Sequence, residues 1–265
     1  MSKLRDKLTA RLAAGGKGLI VYLAAGYPDL AATRRAALAA AEAGADIIEI
    51  GIPFSDPIAD GPVIQQAATV ALQGGLKPAD ALGLVADLTA ASPVPVALML
   101  YINTILQYGP ARFAAAAAAA GAAGLIVPDL PLEEAAPLQD TCRSHGLDLI
   151  QFIAPTSPPD RIARISSQAG GFLYCVSTTG VTGVQTVDYS RLAPLIADAR
   201  RASGIPIAIG FGIGSPEAAV AAAAHADAVI VGSAVIERLT AGGPEGVRSL
   251  VASIRQALDE AGERS

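Results

Sequence analysis

A (β/α)8 barrel of the TIM-barrel class, α/β, in a single domain spanning residues 1–265, is the fold this sequence predicts. Three observations carry that expectation. Apolar runs of four to eight residues bounded by Gly, Pro or Asp recur eight times, Ala-rich stretches with helical spacing lie between them, and no linker or composition break divides the chain. Strand alternating with helix implies a parallel sheet buried on both faces. An open doubly wound sheet is the alternative, but at this length it would more often carry a separable second domain.

In chain order, residues 4–12 predict an N-terminal helix over the barrel floor, and residues 18–23 the first strand. Helix 30–43 ends at "EAGAD", where Gly44 allows the left-handed turn that stops a helix before strand 46–50. Helix 79–90, strand 94–100, helix 112–120 and a short strand 125–127 follow. The alanine run inside 112–120 reads as a barrel helix, because Ala is the best helix former. Then come helix 133–143, strand 147–153, helix 159–168, strand 172–176 and helix 189–202. Strand 205–209 precedes "GSPEAA", with Ser215 as N-cap, Pro216 in the first turn and Glu217 beside it. Helix 216–224 and strand 228–231 complete the set.

The chain is 52% hydrophobic and 16% charged, enough apolar material for a large core, with a formal charge of −5. That balance, without a basic stripe, excludes nucleic-acid and anionic-membrane surfaces. The start is charged and amphipathic, no secretory signal is evident, and the longest apolar run is mostly Ala, so a cytoplasmic protein with reduced thiols is expected.

In such barrels reactive groups sit at the C-terminal ends of strands and in the loops that follow. "IIEIGIPFSDPIADGPVIQ", residues 47–65, places Glu49 at the end of strand two and Asp56 and Asp60 in the next loop, with no Lys, Arg or His among them. Glu49 points either into the barrel or out towards the helices, and both places are dry. A buried carboxyl without a partner holds its proton more tightly, which suits general acid/base work near neutrality. The structural alternative is a Glu paired with a cation from elsewhere in the fold. Loop acids such as Asp56 and Asp60, taken singly, more often cap or face water.

Glycine-bearing turns follow strands six, seven and eight: "STTGVTGVQ" (177–185), "GFGIGSPE" (210–217) and "VGSAVI" (231–236). Glycine lets backbone amides approach a ligand, and a helix N-terminus adds partial positive charge, so these turns point to a phosphate-bearing ligand. The bland alternative is three ordinary tight turns. His145 and His225 form no metal-ligand set, and Cys175 reads as a core residue. No phosphate-binding P-loop or dinucleotide fingerprint exists, and no lysine falls in a predicted strand to form a Schiff base. Acid/base chemistry on a phosphorylated, otherwise apolar molecule remains, with Tyr22, Met99, Tyr101, Ile126, Ile153, Tyr174 and Phe211 as the apolar surface.

The segments "EIGIPFSDPIADGPVIQ", "MLYINTI", "GLIVPDLPLEE", "TTGVTG" and "GFGIGSPE" together resemble the tryptophan synthase α-subunit family, with matching spacing over nearly the whole chain. The resemblance implies retro-aldol cleavage of indole-3-glycerol phosphate to indole and glyceraldehyde 3-phosphate, a carbon–carbon lyase reaction without metal or cofactor in this chain. It implies Glu49 as general acid/base and Asp60 as the carboxylate that stabilises the positive ring nitrogen. It places Gly183, Gly212, Gly232 and Ser233 at the phosphate, Tyr174 beside the glutamate, Thr182 where a closing loop meets Asp60, and Tyr22 and Phe211 against the indole. It further implies a pyridoxal-phosphate β subunit as partner, two α with two β chains, facing Asp56, residues 53–57, Asn103 and residues 128–131, and activating an otherwise weak enzyme. One departure is Thr178, where the family carries Arg. Rival readings are a sugar-phosphate epimerase or isomerase, which would want a His or metal set, and a non-catalytic barrel that only activates a partner, which would not need Glu49 and Asp60.

Overall fold

The computed structural model describes residues 2–176 and 188–263. Its strands are β1 (Gly18–Ala24), β2 (Ile47–Gly51), β3 (Val96–Met99), β4 (Gly124–Ile126), β5 (Asp148–Ile153), β6 (Leu173–Val176), β7 (Ile207–Gly210) and β8 (Ala228–Val231). Each pairs in parallel with its sequence neighbours, and β8 returns to β1, so the sheet closes into a barrel. The closed barrel is therefore realised and the open doubly wound sheet is not. Every predicted strand is present, displaced by two residues at most at either end.

The helices are α1 (Lys3–Ala13), α2 (Leu30–Glu42), α3 (Pro62–Gln73), α4 (Pro78–Ala91), α5 (Ile102–Tyr108), α6 (Pro110–Ala119), α7 (Leu132–Ser144), α8 (Pro159–Gln168), α9 (Ala193–Ala202), α10 (Pro216–Ala223) and α11 (Ser233–Glu263). The stretch predicted as one helix from 189 divides into a 3-10 turn, Tyr189–Leu192, and α9, with Pro194 in the first turn of α9. Helix α11 is kinked where Gly243 leaves helical geometry ahead of Pro244. Helix α3, which opens on Gly61 and Pro62 directly after the acidic loop, and the seven-residue α5 have no counterpart among the stretches predicted above, and of the 31-residue α11 only the opening turn, residues 231–236, is singled out there.

Alternation along the strands separates two cores. Leu19, Val21, Leu23, Ile48 and Ile50 point outward into a large layer shared with the helices. Small residues on the inner helix faces, such as Ala36, Ala40, Ala114 and Ala117, are fully buried there. They let helix backbones approach the sheet, which explains how so few aromatic residues suffice. Ile20, Ile47, Ala97, Ile126, Ile150, Phe172, Ala208 and Ala228 instead face the barrel interior. Leu4 and Leu8 of α1 join that inner cluster from below, each fully buried, and contribute about 2 kcal/mol apiece by area. The N-terminal helix thus closes the floor, as expected for residues 4–12.

Acids brace the same floor at strand starts. Asp46, fully buried just before β2, accepts from Arg11 Nε and Nη2 at 3.0 and 2.9 Å, from the Leu19 amide at 3.0 Å, and from Arg255 at 3.3 Å. One carboxylate therefore ties α1, β1, β2 and α11 together. Asp227 repeats the device before β8, holding Arg200 and the Ile207 amide. Replacing Asp46 with Ala leaves Arg11 and the Leu19 amide without their acceptor and Arg255 with Asp259 alone, and should cost about 3–5 kcal/mol in urea unfolding. An unchanged midpoint would show that the floor does not depend on this clasp.

Candidate active site

Glu49 lies in register between Tyr22 of β1 and Ala97 of β3. It shares the parity of Ile47, an interior residue, so its side chain is directed into the barrel on the mouth side of the inner core. It is 1% exposed, and neither carboxyl oxygen has a hydrogen-bond partner among the described residues. Burial, reinforced by the negative charge of Asp60, raises its pKa from an ordinary 4.5 to about 8. The structural alternative, a glutamate locked to a cation, is not what the barrel contains among its described residues.

Asp60 reaches the same space from the loop after β2. It is half-buried, and burial raises its pKa to about 6 even though the Tyr101 hydroxyl donates to it. Tyr101 follows β3 and serves this loop twice, since its oxygen also accepts from the Ala59 amide at 2.9 Å while its ring stacks on Phe54 at 5.2 Å. From the sequence Tyr101 reads only as apolar surface. Its role as the post that holds the acidic loop was not legible, because it depends on a contact 42 residues apart in sequence. Asp129, after β4, in turn accepts from the Ile102 amide at 2.9 Å and fixes the start of α5 beside Tyr101. Asp56 stays at the exposed rim, bonded to Ser55.

Tyr22 and Tyr174 are both inward and nearly fully buried. Burial and the nearby acids raise both phenols well above their ordinary value, so they stay neutral. Tyr174 stacks on Phe152 at 4.8 Å and lies over Gly210 of β7, where an added Cβ would come within 2.5 Å of the ring. Of the expected apolar surface, Met99 and Ile126 are inward, but Ile153 is not. Strand alternation puts Ile153 in the outer layer against the helices and gives its expected place to Phe152.

On the other side of β1 from the acids stand the ends of β8 and β7. Phe211 and Gly212 both take positive φ, 85° and 77°, which turns the chain sharply after β7; for Phe211 that backbone is strained. Phe211 remains 38% exposed at the mouth. Gly214 stands 3.7 Å, measured from an added Cβ, from Ala234 in the first turn of α11. Gly232 and Ser233 open that helix, with the Gly232 carbonyl accepting from Val235 and Ile236. The first amides of a helix have no intrahelical acceptor, so this turn offers N–H groups and partial positive charge to an anion. Thr178, Thr182 and Gly183, with the rest of the turn after β6, lie outside the described residues.

The remaining reactive residue types stand elsewhere. His145 closes α7 and His225 follows α10, both on the floor side. Cys142 and Cys175 are free and buried, and burial pushes both thiols up to about 12, so neither offers a thiolate.

Fold and mouth together define a class: a (β/α)8-barrel enzyme whose reactive rim sets uncompensated acids against helix N-termini. Within that class the chain matches the family model "Tryptophan synthase alpha chain" over residues 8–261, and it belongs to that family. It is 49% identical to the tryptophan synthase alpha chain of Synechococcus elongatus, with 98% of both chains covered, and 46% identical to that of Chloroflexus aurantiacus, with 97% and 98% covered. A crystal structure of tryptophan synthase from M. tuberculosis superposes with a TM-score of 0.89 at 36% identity, covering 97% of this chain and all of that one. The alpha chain from Legionella pneumophila gives 0.88 at 35% identity, with 98% of both covered. The chain is accordingly a carbon–carbon lyase of tryptophan biosynthesis, cleaving indole-3-glycerol phosphate to indole and glyceraldehyde 3-phosphate.

The raised pKa of Glu49 has a consequence for stability. The folded chain keeps this proton up to about pH 8, whereas the unfolded chain releases it near 4.5. Stability is therefore lost as pH rises between those values, and the loss is complete above the folded pKa. Glu49→Gln, which carries no charge to desolvate, should match the parent at acidic pH. It should be more stable by a few kcal/mol at about pH 9. Parallel stability curves for the two proteins across this range would contradict the burial argument.

Proposed function

We propose that Glu49 and Asp60 perform the cleavage as a divided acid pair, with substrate phosphate at the turn formed by Gly212, Gly232 and Ser233. The observation that carries this reading is that Glu49 faces the mouth, buried, unpaired among the described residues and raised to about 8. At neutral pH it is therefore mostly protonated, while Asp60, raised only to about 6, is mostly charged. Two carboxyls whose environments hold them at different pKa values can take different roles.

Glu49 gives its proton to C3 of the indole ring, and the ring nitrogen becomes positive. The anionic Asp60 lies beside that nitrogen and stabilises it. The Glu49 carboxylate then takes the proton of the glycerol hydroxyl. Its O–H electrons form the aldehyde carbonyl, the C–C pair returns to the ring, and Glu49 ends protonated as it began. Tyr22, Tyr174 and Phe211 hold the ring, and Thr182 and Gly183 act from the turn after β6. No cofactor on this chain is needed.

The whole chain acts as one domain, cytoplasmic, in a complex of two α with two pyridoxal-phosphate β chains. Support for a partner at the mouth comes from Ile58, 84% exposed, and Leu106, 58% exposed. Two clefts, of about 250 and 300 Å³, lie among the segments that follow β2 to β5. Pro53, Phe54 and Thr104 line one, and Pro128, Pro131 and Phe152 the other. Asp56, Asn103 and the Pro128–Pro131 turn belong to the segments that follow β2, β3 and β4. No described helix is long and apolar enough to cross a membrane.

Glu49→Gln should lower turnover of indole-3-glycerol phosphate by about 10²–10⁴. In the parent, kcat/KM should rise as Asp60 ionises near 6 and fall as Glu49 loses its proton near 8. Asp60→Asn removes a like charge beside Glu49, so the surviving alkaline limb should move to lower pH while kcat falls more than KM rises. Near-native turnover in Glu49→Gln removes the glutamate from the mechanism, and an alkaline limb unmoved in Asp60→Asn uncouples the pair.

A further inference from the structure

The two halves of the proposed site, acids on β2 and its loop and an anion cradle just after β8, are joined by one side chain. Tyr22 stands on β1, the strand between them, and its ring runs from one to the other. At the cradle end its Cβ and Cδ1 lie 3.7 Å from where a Cβ on Gly232 would stand. At the acid end its Cζ lies only 2.6 Å from where a Cβ on Gly51 would stand, and the hydroxyl oxygen is nearer still. An alanine at Gly232 would merely touch the tyrosine. One at Gly51 would overlap it.

Gly51 is a puzzle on backbone grounds alone. It closes β2 in the parallel register, opposite Ala24 and Met99, and its φ is not positive. No turn requires a glycine there, and glycine in a strand weakens it, so a close approach is the remaining cause. Gly51 shares the inward parity of Glu49 and stands one pleat nearer the mouth. The phenol end of Tyr22 is thus seated on the mouth side of Glu49, and both Asp60 and Glu49 bear on it electrostatically.

We propose that Gly51 is a positioning residue. The room left by its missing side chain seats the Tyr22 ring as a spacer that fixes the separation of acid pair and anion cradle. A Cβ at Gly51 drives the ring back towards Gly232 and Ile64, which lie at its other end, and crowds the phosphate end of the site. The proposal rests on the assignment of these two regions to acid and phosphate, but not on which group transfers the proton.

The test is a double-mutant cycle in the full chain with Gly51→Ala, Tyr22→Ala and both together. It reads KM, kcat and the affinity for glyceraldehyde 3-phosphate, whose binding needs no proton transfer. Gly51→Ala should raise KM and weaken glyceraldehyde 3-phosphate binding, each by about tenfold, with a smaller change in kcat. The double variant should be no worse than Tyr22→Ala alone, because the clash has gone. Parent-like KM and product affinity in Gly51→Ala, or losses that multiply in the double variant, would overturn the proposal. Should Gly51→Ala fail to fold, the double variant must fold and match Tyr22→Ala, and its failure to do so overturns the proposal equally. A mechanism that fails at Glu49 appears instead as undiminished turnover in Glu49→Gln, with the product-binding cycle unaffected.

Discussion

An acid denied a counter-charge is the constraint on which the rest of this molecule depends. Placing Glu49 in dry surroundings with Asp60 as its charged neighbour is unfavourable for folding above about pH 5, because the native state must hold a proton that solvent would take. Nothing in barrel closure asks for it. The large outer layer of aliphatic residues, the plug of Leu4 and Leu8, and the clasp at Asp46 offset that local instability. Cations are spent at the floor, where they neutralise Asp46 and Asp227, and kept from the mouth segment that carries Glu49 and Asp60.

The barrel produces this division through a simple rule, alternation. Odd and even positions of a strand belong to different layers, so the step from Ile48 to Glu49 moves a residue from the helix-facing core to the mouth. The same rule sends Cys175 and Ile153 outward while Tyr174 and Phe152 face each other inside. Loops then add what strands cannot. The turn after β2 carries Asp60 back over the opening, and Tyr101, from the next strand, holds that turn by two hydrogen bonds. The amide-rich turns after β7 and β8 stand on the far side of β1 from that turn. Acid on one side and helix N-termini on the other suit a substrate with a ring that gains positive charge and a phosphate that is already negative.

Much of this was legible in the sequence, and the residues show why. Buried parallel strands are continuous apolar runs, so all eight could be located without knowing their partners, while the roles proposed for Glu49, Asp60 and the glycines after β7 and β8 came from the resemblance rather than from local pattern. Helix α3 escaped because it directly follows a Pro-rich acidic loop, and α5 because it is only seven residues long, too short for a period to register. Glu49 could not be assigned inward until the register with Tyr22 and Ala97 was known. Contacts between distant segments were beyond reach for the same reason. Tyr101 on Ala59, the arginines on Asp46 and the tyrosine over Gly51 are facts of closure, not of local pattern.

The direct test of the central claim is the protonation state of Glu49 itself. Infrared difference spectra between the parent and Glu49→Gln, followed from acidic to alkaline pH, isolate that one carboxyl group. A protonated-carboxyl band that persists through neutrality and disappears with a midpoint near 8 is the predicted result. A band already replaced by carboxylate close to the ordinary value of 4.5 would mean that the group is solvated or paired, and the account would be wrong at its root.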